Sequence, residues 1–313
     1  MIAATIREGT IAPAEHPDPQ PGGGEVLVRV RAAGLNGADM HQLAGRYPAP
    51  PGSPADIPGL ELAGEVAAMG PESSRFALGD RVMGIVGGGG QAELAVVHER
   101  QLMPVPDGVS WEAAGGFPEV FTTAHDALFT QCALAPGERL LVHGAAGGVG
   151  TAAIQIAVAA GVRVHATVRD PSARGAVAQL GASVIAPEGF ADHGPFDVIL
   201  ELVGAPNLAD DIAALESGGR IAVVGVGAGA RGEIDLRPLM SKRALIRGTM
   251  LRMRPLEEKA LAARALERQV LPLLGDATVV VPIAATFPLD QVAAAYERFA
   301  AGAKLGKIVL LVS

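Results

Sequence analysis

Leu140-Leu-Val-His-Gly-Ala-Ala-Gly-Gly-Val-Gly150 runs from an apolar strand pattern straight into Ala152-Ala-Ile-Gln-Ile-Ala-Val-Ala-Ala160, whose apolar run predicts a helix. Ala145, Gly147 and Gly150 fall in an A-x-G-x-x-G spacing, and Gly144, Gly147 and Gly150 in an alternative G-x-x-G-x-x-G. Strand, glycine loop and helix in this order make a phosphate cradle. The glycines allow a tight turn, let a pyrophosphate reach bare backbone and let the helix pack on its strand, while the helix N-terminal amides attract the negative charge. Gly144, Ala145, Ala146, Gly147, Gly148, Val149 and Gly150 are therefore the first candidate cofactor-binding residues.

Working outward, Gly161 stops the helix and Val162-Arg-Val-His-Ala-Thr-Val168 reads as the next strand. Phe196 to Leu200, Leu208 to Leu215 and Arg220 to Val224 continue the strand, helix, strand alternation. Such alternation predicts a doubly wound parallel sheet, an α/β fold of the Rossmann type. Val203-Gly204 and Val224-Gly225 follow successive strands and so belong at the carboxyl edge, where open α/β sheets bind ligands. Upstream, Glu25 to Arg31, Leu62 to Ala67 and Arg81 to Val86 alternate between Pro and Gly turns, as in a β-rich unit. The tail returns to that style with a helical segment Leu289 to Phe299 and an apolar strand Lys307 to Val312. The expected domains are 1–119 with 282–313, and 120–281.

The 313 residues suit about two domains, each able to bury a core. A net charge of −8, with no Lys/Arg cluster, argues against nucleic acid as a partner. Every long apolar stretch is interrupted before the ~20 residues of a membrane span. No basic-then-apolar leader opens the chain, and Cys132 is the only cysteine, so a reducing cytoplasm is the expected compartment and Cys132 a small core residue.

Gly34-Leu-Asn-Gly-Ala-Asp39, Gly45-Arg-Tyr-Pro48, Pro58-Gly-Leu-Glu-Leu-Ala-Gly64, Gly79-Asp-Arg-Val82, Gly88-Gly-Gly-Gln-Ala-Glu93, His143 to Gly150 and Gly306-Lys-Ile-Val-Leu310 occur in an order that resembles the medium-chain dehydrogenase/reductase superfamily, and within it the zinc-independent quinone oxidoreductases. Leu102-Met-Pro-Val-Pro106 and Phe117-Pro-Glu-Val-Phe-Thr-Thr-Ala124 look most like the subgroup of the tumour-suppressor-inducible quinone oxidoreductase. The resemblance implies a β-rich GroES-like catalytic domain beside the Rossmann domain, and a homodimer formed through the edge of the nucleotide sheet, for which Ala244 to Leu251 is the apolar candidate. It places Asn36 and Leu60 where zinc-using relatives have Cys and His, and one cysteine cannot supply a zinc site. No metal is expected, and Glu61, beside the metal in those relatives, is read as a structural carboxylate with no cation to serve. The rival short-chain dehydrogenases need Tyr-x-x-x-Lys, but Tyr47 and Tyr296 are followed four residues on by Pro51 and Ala300.

NAD-specific sheets of this type carry an acid at the end of the second strand; here stand Val168 and Arg169, with Ser172 and Arg174 nearby. A guanidinium grips a 2′-phosphate, which favours NADPH, although Asp170 one residue on keeps NADH open. The resemblance further implies Asn36 and Tyr47 as catalytic groups on the substrate carbonyl, Thr123 near the nicotinamide, and Met250, Leu251 and Arg252 lining its pocket. Lys307, in the closing motif, receives no catalytic role. Hydride delivery to a quinone is the expected reaction. Reduction of an alkenal, enone or enoyl-thioester double bond is the alternative, for which the basic stretch Ser241 to Arg254 is suited, and a non-catalytic NADPH-binding sensor is a third reading.

Overall fold

The computed structural model describes residues 1–313. It divides into two compact units, Met1–Thr122 with Leu251–Ala303 and Lys307–Ser313, and Thr123–Met250 with Lys304–Gly306.

The second unit is built on six parallel strands in the order Ser183–Ile185, Arg163–Thr167, Arg139–Val142, Phe196–Glu201, Leu215–Val223, Leu245–Gly248. Its central strands read as unbroken apolar runs because both faces are covered: Leu140, Leu141 and Val142 are fully buried, as are Val198, Ile199 and Leu200. Strand order reverses between Arg139–Val142 and Phe196–Glu201, the place where doubly wound sheets open a crevice at their carboxyl ends. The helix Gly148–Ala159 fills that sheet's face, burying every residue from Gly150 to Ala157. Such an all-round apolar helix cannot stand free in water, so it fixes the cradle at its start. At the other end of the sheet, Leu245–Gly248 is an edge strand exposed along its whole length.

The first unit holds a seven-stranded sheet in the order Ile283–Pro288, Lys307–Leu311, Glu25–Gly34, Glu61–Met69, Arg81–Ile85, Leu102–Pro104, with Leu94–His98 also on Glu25–Gly34. The chain-closing strand pairs antiparallel with Glu25–Gly34, Val309 opposite Gly34 and Leu311 opposite Ala32. That register brings Lys307 toward the end of the strand that leads into Asn36. Val26, Val28, Val30, Leu62, Val82, Ile308 and Leu310 form one core, closed by Val292, Ala295 and Tyr296 of the helix Val292–Ala300.

The expected boundary at 281/282 differs from the observed one, since Leu251–Ala303 groups with the first unit. The helix Leu256–Gln269 explains the difference. It buries Ala260, Ala263 and Leu266, Arg264 donates to the carbonyl of Leu102, and Glu257 and Glu267 pair with Arg100 and Arg75 at 2.5 and 2.7 Å. Its amphipathic pattern is that of any crossover helix, so sequence periodicity alone assigns it to the nucleotide sheet. No helix is long and apolar enough to cross a membrane.

Candidate active site

The cradle follows directly from the strand Arg139–Val142. Gly147 is the N-cap of the helix Gly148–Ala159, with no side-chain cap and no acid in the first turn, so that turn's amides are left for an anion. The glycines divide by duty. A Cβ at Gly150 would stand 2.6 Å from the Ala145 Cα and 2.8 Å from its carbonyl oxygen, so Gly150 is required by the fold. A Cβ at Gly147 would meet nothing closer than the Gly144 oxygen at 3.4 Å, so nothing inside the protein demands glycine there and the backbone is left open to an approaching phosphate. Gly306 N–H donates to the Ala146 carbonyl at 3.0 Å and steadies the loop.

Beneath the cradle lies a buried polar network that sequence reading missed. His143 Nδ1 stands 3.0 Å from Thr167 Oγ1, and its Nε2 2.9 Å from Asp211 Oδ1. Burial pushes Asp211 up to about 6, opposed by the hydrogen bond from His143. Glu201 accepts the amides of Val203 and, at 2.7 Å, Gly204, and takes Asn207 Nδ2 at 2.9 Å. His143, Glu201 and Asp211 bring ligand-type atoms within 4.8 Å of one another. Their partners are already Thr167, Asn207 and two backbone amides, so the group ties together the ends of three strands. Val203 and Gly204 thus owe their placement to a carboxylate that no local motif announces.

At the end of the second strand Val168 is buried and Arg169 is exposed. Asp170 is spent as a helix cap, accepting Ser172 N–H at 2.9 Å and Ser172 Oγ at 2.8 Å, hydrogen bonds that hold its carboxyl below the usual range. Ser172 is therefore committed, and Arg174 Nε donates to the Val168 carbonyl at 3.1 Å. Arg169 alone of these keeps its guanidinium free of hydrogen bonds. Val224 and Gly225 follow the strand Leu215–Val223, both amides donating to the Glu201 carbonyl at 3.0 and 3.2 Å. Thr123 is buried, and Met250, the last residue of the Thr123–Met250 segment, is exposed.

Leu251 and Arg252 belong to the first unit, where Leu251 is core. Arg252, expected at a cofactor pocket, is 2% exposed with its guanidinium committed: Nε to the Gly87 carbonyl at 2.7 Å, and the terminal nitrogens to the Tyr47 carbonyl at 3.1 Å and Gln42 Oε1 at 2.5 Å. It also covers the Tyr47 ring at 4.9 Å. Tyr47 is half-buried, and that burial raises its phenol pKa, so the hydroxyl stays a donor at neutral pH.

Three segments distant in sequence meet at Asn36. Its Nδ2 donates to Glu61 Oε1 at 2.9 Å, and its Oδ1 accepts from Lys307 Nζ at 2.7 Å. Lys307 Nζ also donates to Glu61 Oε1 at 2.5 Å and to the Leu35 carbonyl at 2.8 Å. Glu61 therefore does serve a cation, the Lys307 ammonium, and the expectation of none is corrected. Asp39 closes the turn, accepting the amides of Asn36 at 2.8 Å and Gly59 at 3.1 Å, while burial pushes its carboxyl up to about 6. Glu61 Oε2 takes the Glu119 amide at 2.8 Å. These donors do not fit zinc: Asn36 offers an engaged amide, Leu60 offers nothing, and an ammonium already satisfies Glu61.

The basic stretch suggested for a thioester entrance is largely consumed locally. Lys242 donates to the carbonyls of Ala213 and Leu215, Arg247 to that of Gln131, and Arg252 is buried.

Residues 22–107 match the alcohol dehydrogenase GroES-like domain and 148–267 the zinc-binding dehydrogenase domain. A quinone oxidoreductase of Mus musculus is 32% identical over 94% of this chain and 91% of its own length. This chain belongs to the quinone oxidoreductases of the medium-chain dehydrogenase/reductase superfamily. Within that superfamily, a mycobacterial protein solved in complex with NADPH superposes with a TM-score of 0.88 at 26% identity, covering 99% of this chain and 100% of its own. The erythronolide synthase EryA2 of Saccharopolyspora erythraea is 45% identical over 158 residues, 50% of this chain and 4% of that enzyme.

Proposed function

We propose that this quinone oxidoreductase homologue is an NADPH-dependent reductase that transfers hydride to quinones without a metal ion. The observation that carries the reading is the Lys307, Asn36 and Glu61 network, in which a buried ammonium engages Asn36 and Glu61, the positions that the resemblance sets at and beside the metal of zinc-using relatives. Arg169, exposed and unengaged beside a sequestered Asp170, supports NADPH over NADH.

The nicotinamide supplies the hydride when bound; the cradle amides and Arg169 are the groups that would hold its phosphates. Negative charge then develops on the substrate oxygen and needs a donor already in place. Tyr47 hydroxyl, uncommitted and protonated, is that donor. Asn36 is a positioning residue, because both ends of its amide are engaged within the protein. The exposed apolar edge Leu245 and Ile246 supports a homodimer, and light scattering that returns a monomer would exclude it.

NADPH oxidation with a panel of quinones, with and without a chelator, tests the assignment. Turnover with quinones, unaffected by the chelator and higher with NADPH than NADH, is expected. The EryA2 similarity favours a second reading, reduction of an activated double bond, which an alkenal and an enoyl thioester in the same panel would reveal. Tight NADPH binding with no oxidation by any acceptor would instead indicate a sensor.

A further inference from the structure

Five charged groups lie about Glu119, and four of them are spoken for. Glu61 receives Lys307, Asn36 and the Glu119 amide, and Asp39 receives two backbone amides. Lys307 and Arg252 each hold three acceptors. The fifth, Lys259 from the helix Leu256–Gln269, is half-buried. Glu119, in the first turn of the helix Pro118–His125, differs from the other carboxyls. Its Oε2 is sealed from solvent and no donor reaches it.

We propose that Glu119 is the catalytic acid that passes a proton to the substrate oxygen in this enzyme's reaction. A buried carboxyl oxygen without a donor is costly as an anion and inexpensive as an acid. The Glu119 amide ties it to Glu61, so a second carboxylate stands close by, and the one nearby ammonium with three bonds is already given to Glu61 and Asn36. Burial, then the Glu61 charge, push Glu119 up to about 8, against the opposing pull of Lys307 and Arg252. Asp39 adds repulsion, Tyr47 feels the Glu119 charge, and the Lys259 ammonium on the helix Leu256–Gln269 pulls the other way. At neutral pH the group is an O–H donor, as a carboxylic acid kept neutral by its surroundings can be. The residue keeps partial solvent access while Oε2 does not, which leaves a route for proton return.

The step balances. Hydride from the nicotinamide reduces the quinone to the hydroquinone monoanion as the cofactor C–H bond breaks. The Glu119 O–H bond then breaks, its proton forms an O–H bond on the anionic oxygen, and the carboxylate recovers a proton from solvent.

This inference rests on the reductase reading, and one experiment separates the two. NADPH oxidation by 9,10-phenanthrenequinone is followed from about pH 6.5 to 9.5 for the wild type, Glu119→Gln and Glu119→Asp. The wild-type kcat should fall above about pH 8. Glu119→Gln should lose at least about tenfold in kcat, keep its KM for NADPH and lack the alkaline fall, while Glu119→Asp restores part of both. No wild-type turnover with any acceptor sinks the reductase reading itself. An active wild type whose kcat is flat to pH 9.5, or a folded Glu119→Gln with wild-type kcat and profile, overturns the role of Glu119 alone. The wild-type profile decides even if the glutamine variant does not fold.

Discussion

Replacing Lys307 by Met removes the one cation from a carboxylate that has no solvent. Lys307 is 3% exposed and Glu61 0%, so neither charge is relieved by water. The substitution also strands Asn36 Oδ1 and the Leu35 carbonyl, which both accept from Nζ. Breaking a buried pair from one side costs about 3 to 5 kcal/mol, mostly the penalty of the abandoned charge. Lys307→Met should therefore lower first-unit stability by that amount, and Glu61→Gln by a similar one. The double variant, which removes both charges, should lose far less than the sum, with a coupling of at least about 2 kcal/mol. Trp111 provides the assay. It is the only tryptophan, it begins the helix Trp111–Gly116, and the Arg81 guanidinium lies 4.3 Å over its ring, so its fluorescence during urea unfolding reports the first unit. A loss below about 1 kcal/mol for Lys307→Met, or additive losses in the double variant, would refute the claim that this pair is a desolvated, mutually dependent unit.

Gly147→Ala should fold normally yet weaken NADPH binding at least about tenfold by isothermal calorimetry, whereas Gly150→Ala should fail to fold or lose about 2 kcal/mol or more, because its Cβ meets the Ala145 backbone at 2.6 Å. Arg169→Ala should raise the KM for NADPH by about tenfold or more and leave that for NADH unchanged; equal effects on both would remove Arg169 from 2′-phosphate recognition. Asp211 is raised from 3.8 to about 6, so the folded state binds the extra proton and its contribution to stability declines as pH climbs from about 4 through 6. Asp211→Asn should accordingly be less damaging at pH 7.5 than at pH 4.5, by about 2 kcal/mol in thermal unfolding followed by circular dichroism, and a pH-independent effect would contradict the raised carboxyl.

The nucleotide unit was legible because its decisive features are contiguous. Strand, glycines and helix from Leu140 to Ala160 lie next to one another in sequence, and the apolar runs at Phe196 and Arg220 needed only the sheet's alternation to be placed. The polar cluster at Asn36 was half legible. Its motif stood out, but Lys307 reaches it from 271 positions away through the pairing of the last strand with Glu25–Gly34, and no local signal predicts that contact. Arg252 shows the opposite failure: its proximity in sequence to Met250 suggested a shared pocket, yet the two residues part into different units and its guanidinium ties three pieces of the first. Glu119 sat inside the quoted Phe117 to Ala124 segment, and only the accounting of donors around Glu61 separates it from an ordinary helix-start carboxylate. The network of His143, Thr167, Glu201 and Asp211 was invisible for the same reason, each member standing at the end of a different strand or helix.

The most direct test of the account is quinone reduction by protein whose metal content has been measured, before and after dialysis against a chelator. Metal-free protein should oxidise NADPH with a quinone at the undialysed rate. Loss of turnover on chelation, restored by zinc, would contradict the assignment of the Lys307, Asn36 and Glu61 network as the replacement for a metal site.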